Sequence, residues 1–258
     1  MGINFHNQRN RITYTTRRAD NSWIRTINKL ISIREISKAA DIGCGGGIYS
    51  KAMADIGISS VTGVDFSKAM LEGARENCKE YNNISFQYGN ALETGLDTNS
   101  FDFVLERALI HHIKDLQSCF KEAYRVLKDN GFYIIQDRTP EDCLLEGNDN
   151  HIRGYFFECF PKLTKKEINR RHNSQVVISM LKATGFKDIK QVKFWEIRKM
   201  HENRKQLLKD LSDRTGRSIL HELNNKELKY LTKYINTLIT TDKSIIEKDR
   251  WAVWRALK

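Results

Sequence analysis

Ala39-Ala40-Asp41-Ile42-Gly43-Cys44-Gly45-Gly46-Gly47-Ile48-Tyr49-Ser50 is a short apolar run that carries an acid and empties into four glycines within five residues. A polar-capped amphipathic segment, Ser50 to Ile56, follows at once. The pattern reads as strand, tight turn and helix, with the glycines letting the backbone approach a ligand at the helix N-terminus. Spacing separates the ligands that such turns serve. A dinucleotide fingerprint places glycine first, third and sixth; here those positions are Gly43, Gly45 and Ile48. No Lys-Ser/Thr pair follows, which excludes a phosphate-cradling P-loop. Further along, Ser60-Val61-Thr62-Gly63-Val64-Asp65 is a β-rich run ending in an acid. A carboxylate at the tip of a second strand is where a ribose diol is gripped.

Together these segments resemble motif I and the following acidic position of class I S-adenosylmethionine-dependent methyltransferases. The resemblance continues in order through Gly89-Asn90-Ala91, Phe101-Asp102-Phe103-Val104-Leu105-Glu106 and Arg125 to Gly131, covering residues 36 to 138. It is similar to the ubiquinone/menaquinone-type, small-molecule branch. It implies a doubly wound, mostly parallel seven-stranded α/β sheet of Rossmann-like form with an antiparallel edge strand. S-adenosyl-L-methionine is the implied cofactor.

Composition bounds the rest. Forty per cent hydrophobic and 29 per cent charged residues are ordinary for a soluble protein. There is no long apolar run, the polar start is no signal peptide, and His6 stands where a myristoylation signal needs Ser or Thr. Five scattered cysteines without a CxxC pair suggest a reducing cytoplasm and no zinc site. The net charge of +11 is uneven: residues 1–150 carry −2 and residues 151–258 carry +13. That asymmetry is a solvated, lysine-rich set of helices or a surface for nucleic acid.

Strands are expected near 39–42, 60–65, 84–88, 101–105 and 132–137, and helices near 50–56, 67–81 and 115–129. An earlier helix, Trp23 to Ile31, is expected with Ser22 as its cap. In the third core helix Asp115 is the cap, Leu116, Cys119, Phe120, Ala123, Val126 and Leu127 form the apolar stripe, and Asn130-Gly131 is the stop. A helix over 174–184, stopped by Gly185, precedes a strand from Ile189 to about Arg198. Two helices bridged by Thr215-Gly216-Arg217 follow, the second apolar through Leu228, Leu231, Ile235, Leu238 and Ile239. A last strand runs from Arg250 to Leu257. The expected division is an N-terminal cap segment (1–35), a core (36–198 and 245–258) and a helical insertion (199–244). An insertion of that length is unusual for a hairpin connection, and is read as a cap or a homodimer contact.

The resemblance assigns site residues. Gly43, Cys44, Gly45 and Gly46 would approach the methionine moiety and Asp41 its ammonium. Asp65 would hold the ribose, Phe66 would pack on the adenine, and Asn90 with Ala91 would meet its edge, the Asn90 oxygen accepting from the amino group. Glu106 ends the fourth strand on the same rim. His111 is the candidate general base, with Tyr14 and His112 next; for His112 a backbone bond is the competing reading. Arg107, Arg138, His112 and Tyr155 are the candidate acceptor contacts. The two arginines would anchor an anionic substrate or pair with Glu106. Glu106 and Asp137 end neighbouring strands, but Arg138 stands where another oxygen ligand would be wanted, so no metal is expected. The implied activity is methyl transfer to a small-molecule acceptor. The alternatives are an RNA methyltransferase using the basic second half and a non-catalytic cofactor-binding module.

Overall fold

The computed structural model describes residues 18–258; Tyr14 lies outside the described residues. α1 (Asn21–Leu30) is capped by Asp20, whose carboxylate accepts from the Ser22 amide at 3.1 Å. The cap is therefore Asp20 and not Ser22, because the extended residue ahead of the first turn places its side chain over the unpaired amides. β1 (Lys38–Ile42), α2 (Ile48–Asp55), β2 (Ser60–Asp65), α3 (Lys68–Asn77), β3 (Ile84–Tyr88), β4 (Phe101–Arg107), α4 (Leu116–Val126) and β5 (Leu127–Asp137) follow. α4 stops at Val126 and not at the Asn130-Gly131 pair. Leu127 already pairs with Phe101, and Asn130, at φ +63°, sits in a bulge where the β4–β5 register shifts. Strand pairing takes the last helical turn that the apolar stripe had suggested.

Beyond Asp137 come α5 (Pro140–Cys143), α6 (Gly154–Cys159), α7 (Lys162–Arg170), α8 (Ser174–Thr184) and β6 (Lys187–His201). After them lie α9 (Arg204–Ser212), a 3₁₀ turn (Ser218–Glu222), α10 (Asn225–Leu238) and β7 (Ile245–Leu257). The strand order is β3-β2-β1-β4-β5-β7-β6, parallel except that β7 runs antiparallel to both neighbours. Trp23, Ile27 and Met53 bury one face of the sheet under α1 and α2. Phe120, Ala123, Val177 and Leu181 bury the other under α4 and α8.

The long hairpin β6–β7 pairs from Lys187–Leu257 out to His201–Ile245 and carries the helical insertion at its far end. That insertion does not stand alone. Leu207, Leu211, Leu228, Leu231 and Ile235 form one apolar cluster with Ile152, Phe156 and Leu163 from the α6–α7 region. Leu238, the last residue of α10, is 39% exposed, although Leu228, Leu231 and Ile235 on the same helix are buried. Two chain segments distant in sequence thus build one helical layer next to the carboxyl ends of the strands.

Glu106 belongs to the core. Consecutive strand residues face opposite sides, and Glu106 faces α4, where its carboxyl accepts from the Cys119 thiol at 3.4 Å. Burial pushes it up to about 8. A carboxyl protonated in the fold but ionised in the unfolded chain binds an extra proton on folding between its ordinary value and about 8, so its contribution to stability falls as pH rises through that window. Glu106→Gln, which cannot ionise, should raise the unfolding free energy at pH 9 by roughly 2–4 kcal/mol over the parent. At pH 5 the two chains should lie within about 1 kcal/mol of each other. Denaturant melts at both pH values check this, and equal stability at pH 9 would refute it.

Candidate active site

The site begins where β1 ends. Asp41 is buried, and its carboxylate accepts from Ser50 Oγ at 2.6 Å. Burial pushes its carboxyl up to about 6; the Ser50 bond opposes the shift and the nearby Asp65 reinforces it. Gly47 caps α2 at φ +76°, where a Cβ would come within 3.0 Å of Cys78 Sγ. Gly45, at φ +51°, would meet nothing within 4 Å, so its backbone opens onto free space. Asp65 closes the turn from β2: one carboxylate oxygen accepts from the Gly45 amide and the other from the Ser67 amide, both at 2.9 Å.

A cavity of about 590 Å³ runs from this turn toward the helical layer, within the ~300–1,000 Å³ usual for small-molecule sites. Asp41, Gly43, Cys44, Gly45, Gly46, Asp65, Phe66, Asn90 and Ala91 line its first end; Glu106 does not. Phe66 and Leu92 expose 42% and 45% of their surface there, an apolar pair suited to a flat ring. Leu92 had no signal in the sequence beyond its place in a loop. The Asn90 carboxamide oxygen accepts from its own loop, from the Leu92 amide at 2.8 Å and the Glu93 amide at 3.1 Å. The expected acceptor for an adenine amino group is therefore already engaged, because an Asx turn satisfies the loop amides first.

Midway, Ala108 sits at φ +52° and turns the chain so that Leu109 packs on Gly43, where a Cβ would approach Leu109 Cδ1 to 2.8 Å. The His111 amide and Nδ1 both face the Asp137 carboxylate, Nδ1 at 2.8 Å. An ionised carboxylate only accepts, so Nδ1 carries the proton and Nε2 is left as an acceptor. Burial alone would raise Asp137, but contacts with His111 and Arg171 hold it well below the usual carboxylate range. Burial first, and then the Arg171 guanidinium, push His111 down to about 3 against the pull of Asp137. Those surroundings hold the His111 ring toward its neutral form. His112 also lines the cavity, its ring 4.0 Å from that of His111, and burial lowers it as well.

Arg107 lines the same stretch and pairs with Glu196 at 2.7 Å, between the rings of Tyr49 and Trp251 at 4.1 and 4.3 Å. It does not pair with Glu106, because neighbours on a strand point to opposite faces. Arg138 pairs with Asp249 at 3.0 Å and lies 4.1 Å from the Trp251 ring.

The far end is walled by Arg138, Arg153, Phe156, Arg171, Arg198 and residues 216–218. Tyr155 is absent from this wall. It packs on Gly147 and against Tyr234, since one step along α6 turns a side chain by about 100° and presents Phe156 instead. His201, Asp210 and Glu247 place ligand-type atoms within 4.8 Å of one another. Arg198, Arg217 and Lys199 already meet their charges, which makes the group an ion-pair knot.

Residues 40–135 match a family model described as a methyltransferase domain. Over 121 residues the chain is 34% identical to the demethylmenaquinone methyltransferase of Staphylococcus aureus (strain JH9), covering 45% of this chain and 49% of that protein. The chain thus spans about half the length of the curated relatives it matches. A candidate methyltransferase from an antibiotic biosynthesis pathway of Anabaena variabilis shares the fold at a TM-score of 0.71, with 22% identity over 93% of this chain and 98% of that one. Phosphoethanolamine N-methyltransferase 2 of Haemonchus contortus, in complex with S-adenosyl-L-methionine, aligns at a TM-score of 0.63 with 21% identity, over 99% of this chain and 60% of that one. No described helix is long and apolar enough to cross a membrane. Sheet order, glycine turn and matched segment agree: residues 40–135 are similar to a methyltransferase domain, and they fold into the strands that carry the glycine turn.

Proposed function

We propose that this protein transfers a methyl group from S-adenosyl-L-methionine to a small-molecule acceptor in the cytoplasm. The observation that carries the reading is one continuous cavity joining the glycine turn and Asp65 to a separate, differently lined chamber. The residues of the first end fit the cofactor. Asp41 is a buried carboxylate whose ionised form awaits a cation, Gly45 leaves its backbone open, and Phe66 with Leu92 offers an apolar slot. Asp41 would take the ammonium, Asp65 the ribose hydroxyls, and the Phe66–Leu92 pair the adenine. When bound, S-adenosylmethionine supplies a sulfonium methyl to an in-line nucleophile. The chain's own work is alignment and exclusion of water. His111 Nε2, held neutral by its surroundings, accepts a hydrogen bond from an acceptor O–H or N–H and orients it, without storing a proton at neutral pH.

The RNA alternative rests on the +13 charge of residues 151–258. The arginines of that half turn inward or onto acids: Arg153, Arg171, Arg198 and Arg217 are at most 8% exposed and paired. An open phosphate-binding face needs them outside.

Asp65→Ala removes ribose acceptors and also frees the Gly45 amide, so S-adenosylhomocysteine affinity should fall by about 1.5–3 kcal/mol in calorimetry. Unchanged affinity would end the assignment. An ammonium ligand favours ionised Asp41, so affinity should be full above the Asp41 value of about 6 and weaken by roughly tenfold per pH unit below it. Asp41→Asn should flatten that dependence, and a parent profile flat from pH 8 to pH 5 would refute the role. The His111 ring signals in an NMR titration should stay constant between pH 5 and pH 8. A midpoint near 6.5 would restore His111 as a titrating base.

A further inference from the structure

The far chamber of the cavity has a charge pattern that methyl transfer alone does not require. Arg138, Arg153, Arg170 and Arg171 gather there against three carboxylates, Asp137, Glu167 and Asp249. Glu167 alone accepts from Arg153, Arg170 and Arg171. Of these arginines, Arg138, Arg153 and Arg171 line the cavity. Arg171 uses all three of its guanidinium nitrogens on Asp137 and Glu167. Arg138 and Arg153 do not. Each bonds an acid through Nη2, Arg138 to Asp249 at 3.0 Å and Arg153 to Glu167 at 2.7 Å. Among the described residues neither Nε has an acceptor, and no bond is made by either Nη1. Arg153 is 7% exposed. Arg153 is buried and Arg138 partly so, and both line the cavity with a single nitrogen bonded; the Nε of each is shut away, so the unbonded Nη1 ends are the donors left for an acceptor.

The neighbouring groups do not relieve it. His111, His112 and His151 are all held toward the neutral form by burial. Glu247 is committed to Arg198, Arg217 and His201. Arg138 itself is drawn down to about 10, by burial first and then, against Asp249, by repulsion from Arg153 and Arg171. Counted as side chains, four guanidiniums there face three carboxylates.

We infer that the pocket end between Arg138 and Arg153 is an oxyanion subsite for the acceptor, so that the molecule methylated carries a carboxylate or phosphate group. Guanidinium forks match planar and tetrahedral oxyanions through paired hydrogen bonds. His111 Nε2, on the wall between this chamber and the glycine turn, then meets the part of the acceptor nearer the cofactor end. The assignment rests on the methyltransferase reading for the word acceptor, while the anion site stands on its own geometry.

The test is calorimetric titration of the 258-residue chain preloaded with S-adenosylhomocysteine, at ionic strength fixed with chloride. One arm uses inorganic phosphate and the other malonate. At least one should bind saturably at a single site, the tighter arm naming the acceptor's group. Arg138→Gln should weaken that binding by about tenfold or more and leave S-adenosylhomocysteine affinity within about twofold. Where Arg138→Gln does not fold, Arg138→Lys keeps the charge beside Asp249 but not the fork, and should still weaken binding by about threefold. Failure of both anions to saturate, or wild-type anion affinity in the Arg138 variant, overturns the inference. A chain that binds phosphate or malonate but not S-adenosylhomocysteine overturns the cofactor reading instead.

Discussion

The bond from the Gly45 amide to Asp65, 2.9 Å long, ties the ends of two parallel strands together at the rim of the sheet. Much of the site follows from it. Asp65 can accept there only because Gly45 adopts a left-handed backbone, and Gly47 then starts α2 in the same region. Gly43, Gly45 and Gly46 bring bare backbone to the cavity wall, so a ligand can lie against it. Leu109 braces the other side of the turn, carried there by the strained Ala108. The constraint is reciprocal: a Cβ at Gly43 would strike Leu109, and a relaxed Ala108 would withdraw it.

A second constraint operates where the helical layer meets the sheet. β4, β5, β6 and β7 send Arg107, Asp137, Glu196, Arg198, Glu247 and Asp249 into one seam, joined by Arg138 just past the end of β5. The insertion adds Asp210 and Arg217, and α7 adds Glu167 with Arg171 following it. Buried ion pairs of this kind contribute little net stability, but removing one partner typically costs about 3–5 kcal/mol. Their value here is registration. An apolar seam would let the layer slide, whereas Glu247, meeting Arg198, Arg217 and His201 at once, admits one placement.

The sheet and the glycine turn at its rim were legible because their signals are local. Asp41, the glycines and Asp65 are fixed by short-range backbone demands, and the α4 stripe by a period of 3.6. Asp20 and Asn130 escaped the reading by a few residues, since a cap or a bulge depends on which neighbour pairs first. Glu106 and Tyr155 were misplaced by a single step, which flips a strand residue and swings a helical one. Asn90 was found in place, but its oxygen had a nearer partner. The arginine chamber had no local signature. Arg138, Arg153, Arg171, Arg198 and Arg217 are spread over some eighty residues, and only the hairpin and the fused helical layer bring them together.

That gathering changes how the chain's net charge should be understood. Summed over sequence, the second half resembles a polyanion-binding surface. In space the two kinds of cation separate. Lysines such as Lys162, Lys166, Lys190 and Lys209 remain in solvent, at 51 to 75% exposure, where strong hydration of the ammonium favours them. Arginines turn inward, because the weakly hydrated planar guanidinium tolerates burial, stacks on Tyr49 or Trp251, and meets carboxylates through several bonds. The interior cations nearly match the interior acids, so the outward charge belongs mainly to lysine and is screened within a Debye length. The small local imbalance around Glu167 is not screened in that way. At low effective dielectric a buried guanidinium acts on a neighbouring group more strongly than a solvated lysine does at the same distance, so the sum of +13 over sequence is a poor guide to the field inside the cavity.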